Sequence, residues 1–320
     1  MGATTSRRRA RPARRAAVGA AVALAVVTAL TVSAHGDTGE ARGPGAGRLP
    51  PAVQQLDITG TEYSFAISPD PADGLRAGWT QVRLRNVGSE PHQVMFARLK
   101  DGVDLGALAQ AGGGDSSGAS AIEFVDMLGG VSYIGPGRDI TAMVDLPEGV
   151  VLAMCYVPNA HGVAHALLGM SAVLVVSGSE ATSSAATGPG AKARGEKVRG
   201  TIELAADGYH IPKSLPKGWY RVRNTDTGDA GTGLHELSLL RLQRAVRASK
   251  VPGVVEDLAS NATPAVPLDA LGGMGAISPG FEGYLYLDLP SGNYLAVDFM
   301  PDPGVPTPHM VDGYYATFRP

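Results

Sequence analysis

Polar and apolar residues alternate along Gln81-Val82-Arg83-Leu84-Arg85, and a period of two puts Val82 and Leu84 on one face of a strand. Asp139–Leu146 alternates in part, with Ile140, Ala142, Val144 and Leu146 set against Asp139, Thr141, Met143 and Asp145. Pro147-Glu148-Gly149 and Pro290-Ser291-Gly292 put Pro and Gly where a tight turn needs them, and an apolar strand follows each. Val103–Ala111 and Val254–Leu258 suit short helices. Short strands punctuated by Gly and Pro predict an all-β, Greek-key β-sandwich with short helical insertions.

The pattern occurs twice. Gly78-Trp79 before Val82-Arg83-Leu84-Arg85-Asn86 matches Gly218-Trp219 before Tyr220-Arg221-Val222-Arg223-Asn224. His92 matches His235, Leu128-Gly129-Gly130 matches Leu271-Gly272-Gly273, and Asp145-Leu146-Pro147 matches Asp288-Leu289-Pro290, all offset by 143 positions. Ile134-Gly135-Pro136-Gly137 and Ile277-Ser278-Pro279-Gly280 keep the same offset. A period this long predicts a duplicated domain, since solenoid repeats run at roughly 20–50 residues. The expected domains are 53–177 and 198–320, with 178–197 (GSEATSSAATGPGAKARGEK) as a linker and 35–52 as a flexible lead.

Residues 1–34 have a different composition: Arg7, Arg8, Arg9, Arg11, Arg14 and Arg15, an apolar run from Ala16 to Leu30, and the small-residue site Val32-Ser33-Ala34. This predicts a cleaved export signal and a secreted or cell-surface protein, with an uncleaved membrane anchor as the alternative. Without those six Arg, 21 Lys and Arg face 30 Asp and Glu, an acidic balance that argues against nucleic acid or an anionic membrane as partner. One Cys in 320 residues excludes an internal disulfide framework, a thiolate zinc cage and an iron–sulfur cluster.

That single residue, Cys155, lies in LAMCYVPNAHGVAHALLGM, ahead of His161, His165 and Met170, while NVGSEPHQVMF presents His92 at the start of a strand. Taken singly, Cys155 suits a small buried hydrophobe, Met170 a core filler and His92 a cap. Together, a thiolate, two imidazoles and a thioether are the ligand set of a blue-copper centre. Of the two loop histidines, His165 is preferred, because His165-x-x-x-Gly169 is echoed by His309-x-x-x-Gly313; His161 is the alternative.

Asn86-x-Gly88-x-x-Pro91-His92-x-Val94-x-Phe96 with Cys155…His165…Met170 resembles the cupredoxins, and both halves share the resemblance. It implies two tandem cupredoxin-like sandwiches, one type 1 copper on His92, Cys155, His165 and Met170, and one-electron transfer or copper handling with a redox partner or a copper donor or acceptor protein. It also implies that Asn86 ties the two ligand loops together. The nine residues between Cys155 and His165 depart from the two to four of small electron carriers in that family.

In the C-terminal half Asp298 stands for Cys155 and Tyr314 for Met170. No blue copper is expected there, although His235, Asp298 and His309 suit a harder ion. His210 reads as structural. No two of His35, His92, His161, His165, His210, His235 and His309 are separated by one residue, which argues against a multicopper oxidase and for a non-enzyme. The competing class is a copper-free sandwich serving as a binding or structural module.

Overall fold

The computed structural model describes residues 47–112, 119–178, 195–228, 233–305 and 307–320. The expected export signal, most of the lead and most of the linker lie outside the described residues. In the N-terminal half the strands are β1 (Gln54–Thr61), β2 (Ser64–Ser68), β3 (Leu75–Arg76), β4 (Gly78–Asn86), β5 (His92–Leu99), β6 (Val125–Ile134), β7 (Asp139–Leu146), β8 (Gly149–Met154) and β9 (Ser171–Ser177), with helix α1 (Leu105–Gly112) after β5. The C-terminal half runs through β10 (Val198–Ala205), β11 (Gly208–His210), β12 (Gly218–Asn224), β13 (His235–Leu242), α2 (Val251–Ala259), β14 (Leu268–Ile277), β15 (Glu282–Leu287), β16 (Asn293–Val297) and β17 (Tyr315–Phe318). The protein is all-β with a few short helices.

Alternation in β4 does what its sequence requires: Thr80, Val82, Leu84 and Asn86 face inward while Arg83 and Arg85 are exposed. β5 is buried on both faces over its first six residues. Val94 and Phe96 enter the main core, and Met95 and Ala97 pack with Ala119, Ile122 and, from the other half, Leu234 and Met300.

Two mixed sheets run through both halves. One has the order β11-β10-β12-β15-β7-β4-β1-β2 and the other β17-β16-β13-β14-β6-β5-β8-β9-β3. Successive strands change sheets at β4–β5, β6–β7 and β7–β8, as Greek-key connections do. The halves meet where β7 pairs antiparallel with β15 and β6 with β14.

The register at this seam is self-complementary. Leu271 pairs with Ile134 and Ile277 with Leu128, so each position meets the other's counterpart, and Val131 and Met274 lie opposite each other at the centre. An approximate two-fold axis therefore passes between them, the arrangement of an isologous interface within one chain. Leu128, Val131, Ile134, Met274 and Ile277 belong to one core shared by both halves. Fully burying each such side chain contributes about 1.5–3 kcal/mol.

The Leu-Gly-Gly segments lie at this seam. A side-chain carbon on Gly130 would collide with the Val94 carbonyl, and one on Gly273 with the Leu237 carbonyl, so neighbouring backbones approach closely only because both residues are Gly. The Ser132 and Ser238 hydroxyls hydrogen-bond to each other across it. Leu49, from the stretch read as a lead, is buried with Met143, Trp219 and Tyr284, and its N–H donates to the Glu196 carbonyl.

Candidate metal centre

His92 opens β5, and a network of hydrogen bonds fixes the turn before it. The Asn86 carboxamide, buried by the alternation of β4, donates to the carbonyls of Glu90 and Ile134 and accepts from the Gly88 N–H. Asn86 thus ties the His92 turn to the β6–β7 turn and not to the Cys155 loop, correcting the role implied by the resemblance. The reason is register: β4 pairs with β7, which carries the 134–138 turn to Asn86. A Cβ on Gly88 would stand 2.7 Å from His92 Nε2, so the Asn-x-Gly spacing leaves room for the imidazole.

Cys155 follows the end of β8, and its loop folds back on itself. The Ala166 N–H donates to the Cys155 carbonyl at 2.7 Å, His165 N–H to Val157 and Met170 N–H to His165, both at 2.9 Å. Asn159 Oδ1 accepts from the backbone N–H groups of His161 and Val163 and turns the loop outward between these paired segments. The nine intervening residues are therefore spent on a hairpin whose stem returns His165 to Cys155. His161 lies on the exposed turn and is not brought to the cluster, whereas His165 begins a one-turn helix closed by Gly169 in the left-handed conformation.

His92, Cys155, His165 and Met170 are all fully buried. His92 Nδ1 lies 3.3 Å from His165 Nδ1, and Cys155 Sγ lies 3.6 Å from His165 Nδ1. Metal–nitrogen bonds of about 2.0 Å and metal–sulfur bonds of about 2.3 Å, at angles between tetrahedral and trigonal, require N···N of about 3.3–3.5 Å and N···S of about 3.5–3.7 Å. The three side chains thus fit around one ion. A Cβ on Gly60 would meet both the Met170 methyl and the His92 ring, which places both beside Gly60; Met170 also packs in one buried cluster with Cys155 and Val157.

The electrostatics favour a cation. Burial, and then the neighbouring His165, pull the His92 pKa down to about 4; burial lowers that of His165 as well. Both rings are therefore neutral at pH 7, with lone pairs available. Burial pushes the Cys155 thiol up to about 12 despite N–H groups of Gln93 and Val157 directed at its sulfur, so a thiolate there needs a cation beside it. Glu62 and Glu90 face the outer nitrogens, at 3.9 Å from His92 Nε2 and 2.9 Å from His165 Nε2. The Glu90 contact lies off the direction of a ring hydrogen bond, and both Nε2 atoms are buried without a hydrogen-bond partner.

The C-terminal half repeats the frame. Met310 N–H donates to Asp298, His309 N–H to Met300 and Tyr314 N–H to His309, in the pattern of the Cys155 loop. The His235 and His309 rings lie 5.2 Å apart at 64°, the same separation and angle as His92 and His165. Asp298 Oδ2 sits between them, 2.8 Å from His235 Nδ1 and 3.1 Å from His309 Nδ1, and the Met300 N–H donates to Oδ1. Tyr314 stacks on His235 at 4.0 Å and donates its hydroxyl to the Ala205 carbonyl. Burial opposes charge on His309, but the hydrogen bond to Asp298 and the charges of Asp298 and Asp302 outweigh it and raise its pKa. His210 is exposed beside Asp207 and Glu203, away from both clusters.

No family model and no curated protein matches the sequence. Among solved structures, a reduced auracyanin from Roseiflexus castenholzii overlaps 39% of this chain and 98% of its own, at 18% identity and a TM-score of 0.25. Auracyanin A, a blue copper protein from Chloroflexus aurantiacus, overlaps 38% of this chain and 97% of its own, at 19% identity and 0.26. A blue copper oxidase from Nitrosomonas europaea overlaps 83% and 85%, at 18% identity and 0.23. At these identities and scores the overlaps add nothing to what the side chains themselves display.

Several carboxylates at the two clusters escaped the sequence reading. Glu62 reaches the site from the β1–β2 turn, where its oxygen accepts from the backbone N–H groups of Ser89 and Glu90; these bonds hold its pKa at about 2. Asp226 faces His235 Nε2 at 3.0 Å, and Asp302 faces His309 Nε2 at 3.5 Å. A signal existed for two of them, since Glu90 precedes Pro91-His92 and Asp226 follows Asn224 as Gly88 follows Asn86. Glu236, next to His235, is fully buried; burial and the charge of Asp298 push its pKa up to about 8. Between the clusters lies a cavity of about 480 Å³, with Gln93, Tyr156 and Val157 on one side and Glu236, Phe299 and Met300 on the other. Among the described residues, no helix is long and apolar enough to cross a membrane.

Proposed function

We propose that the chain is an exported, cupredoxin-like copper protein whose N-terminal half holds one type 1 copper for one-electron transfer or copper handling. The observation that carries this is the buried convergence of His92 Nδ1, His165 Nδ1 and Cys155 Sγ at the spacing of ligands around a single ion. Copper held there supplies the exchange of one electron between its two oxidation states. The chain's own part is to fix the ligands and keep water out. The hairpin holds Cys155 and His165 together, the N–H groups of Gln93 and Val157 stabilise a thiolate, and burial excludes solvent. Met170 would be the fourth and weakest of the residues holding it. The reciprocal partner is a separate redox protein or a copper donor or acceptor.

The matched offsets, strand order and ring geometry support a duplicated domain, with 53–177 the copper-binding copy and 198–320 the copy without sulfur. The basic, apolar and small-residue succession in 1–34 supports export, and the absence of any His-x-His pair supports a carrier over an oxidase. The test is one absorption spectrum of the purified chain titrated with Cu(II). An intense visible band that saturates at one copper per chain and vanishes in Cys155→Ser supports the proposal. A colourless Cu(II) complex of the wild-type chain refutes it.

A further inference from the structure

We infer that His235, Asp298 and His309 form a second metal site, for a divalent ion without need of sulfur, zinc above all. The inference does not depend on the copper reading, because Cys155 takes no part in it. Each imidazole has two nitrogens, and all four face carboxylate oxygens: Nδ1 of both rings faces Asp298 Oδ2, His235 Nε2 faces Asp226, and His309 Nε2 faces Asp302.

A neutral imidazole has one N–H, so two neutral rings donate two bonds and leave two nitrogen lone pairs facing carboxylate lone pairs. The cluster must therefore hold two further protons, on ring nitrogens or carboxyl oxygens, or a cation between Asp298 and the rings. One divalent ion takes the place of those two protons, which it releases to solvent, and leaves the net charge unchanged.

The outer contacts favour the ion. A histidine that binds metal through one nitrogen commonly donates the other N–H to a carboxylate, which sets the tautomer and aims the lone pair. Asp226 and Asp302 stand where such partners stand. With Nε2 protonated toward them, both Nδ1 lone pairs converge on the carboxylate of Asp298, giving two imidazoles and one carboxylate, a donor set suited to zinc and related ions. Burial adds to this: Asp298 is fully buried and His235 nearly so, which makes the charge of Asp298 costly without a cation at hand.

The experiment is zinc bound per folded full-length chain, measured after equilibrium dialysis against free Zn²⁺. The wild type is compared with His309→Gln, Asp298→Asn and the unrelated pair Cys155→Ser with His92→Gln. The Cys155/His92 double variant should keep one zinc, and His309→Gln should lower the wild-type stoichiometry by one or weaken that zinc at least tenfold. If Asp298→Asn does not fold, His309→Gln decides, since its side chain is partly exposed. The Co²⁺ complex of the Cys155/His92 double variant should show only weak bands, without sulfur charge transfer. Zinc stoichiometry and affinity left unchanged by His309→Gln, or no zinc on the Cys155/His92 double variant, would overturn the inference and leave the cluster a proton-filled ionic network.

Discussion

The two clusters differ far less in frame than in chemistry. Both pairs of rings sit 5.2 Å apart at 64°, and both loops are closed by the same three backbone hydrogen bonds. What stands between and around the rings differs. In one half it is a thiol flanked by neutral imidazoles; in the other it is a carboxylate that engages both rings, with a stacked tyrosine where the thioether would be. The strands and hairpin thus fix the histidines, and the residue at 155 or 298 sets the donor atom offered between them. A sulfur ligand suits an ion that is soft in its reduced state; a carboxylate suits harder ones.

If the frame is common, chemistry should be transferable. Asp298→Cys combined with Tyr314→Met should raise the blue copper count from one to two per chain, read as a doubled visible band at saturating Cu(II). A variant that folds yet stays at one would break the equivalence of the frames.

The turns supporting the two first histidines should respond alike. Asn86 and Asn224 are both buried, and each donates to two carbonyls and accepts one backbone N–H. Asn86→Ala and Asn224→Ala each leave buried groups unpaired and should cost about 1–3 kcal/mol in urea unfolding of the metal-free chain. Asn86→Ala should additionally shift the copper spectrum, because its turn carries His92; Asn224→Ala should leave that spectrum as it is. The smallest effect is expected at His161, whose exposed turn lies outside the cluster: His161→Ala should leave copper stoichiometry and unfolding unchanged within error, and loss of the band would return it to the ligand set.

Much of this was legible locally. The alternation around Val82 and Leu84 marks β4, Pro147-Glu148-Gly149 and Pro290-Ser291-Gly292 mark the turns into β8 and β16, and the helices at Val103–Ala111 and Val254–Leu258 are found as α1 and α2 with shifted ends. The candidate residues carried their own chemistry, so Cys155, His165 and Asp298 could be singled out before any geometry. The seam could not. Its pairing joins Leu271 to Ile134 and Ile277 to Leu128, a register set by which sheet edges are left open, and nothing in either strand alone states it. Glu62 was hidden for a similar reason: it is near His92 only because β1 pairs with β4, which brings Gly60 beside Asn86. The spacing from Cys155 to His165 could not be judged either until Asn159 was found organising the turn.

The most direct test of the account is a crystal of the full chain loaded with Cu(II), with anomalous scattering recorded at the copper edge. The account predicts one strong copper peak bonded to His92 Nδ1, Cys155 Sγ and His165 Nδ1, with Met170 beside it. Copper confined to exposed histidines such as His161 or His210, with the space between His92, Cys155 and His165 empty, would contradict it.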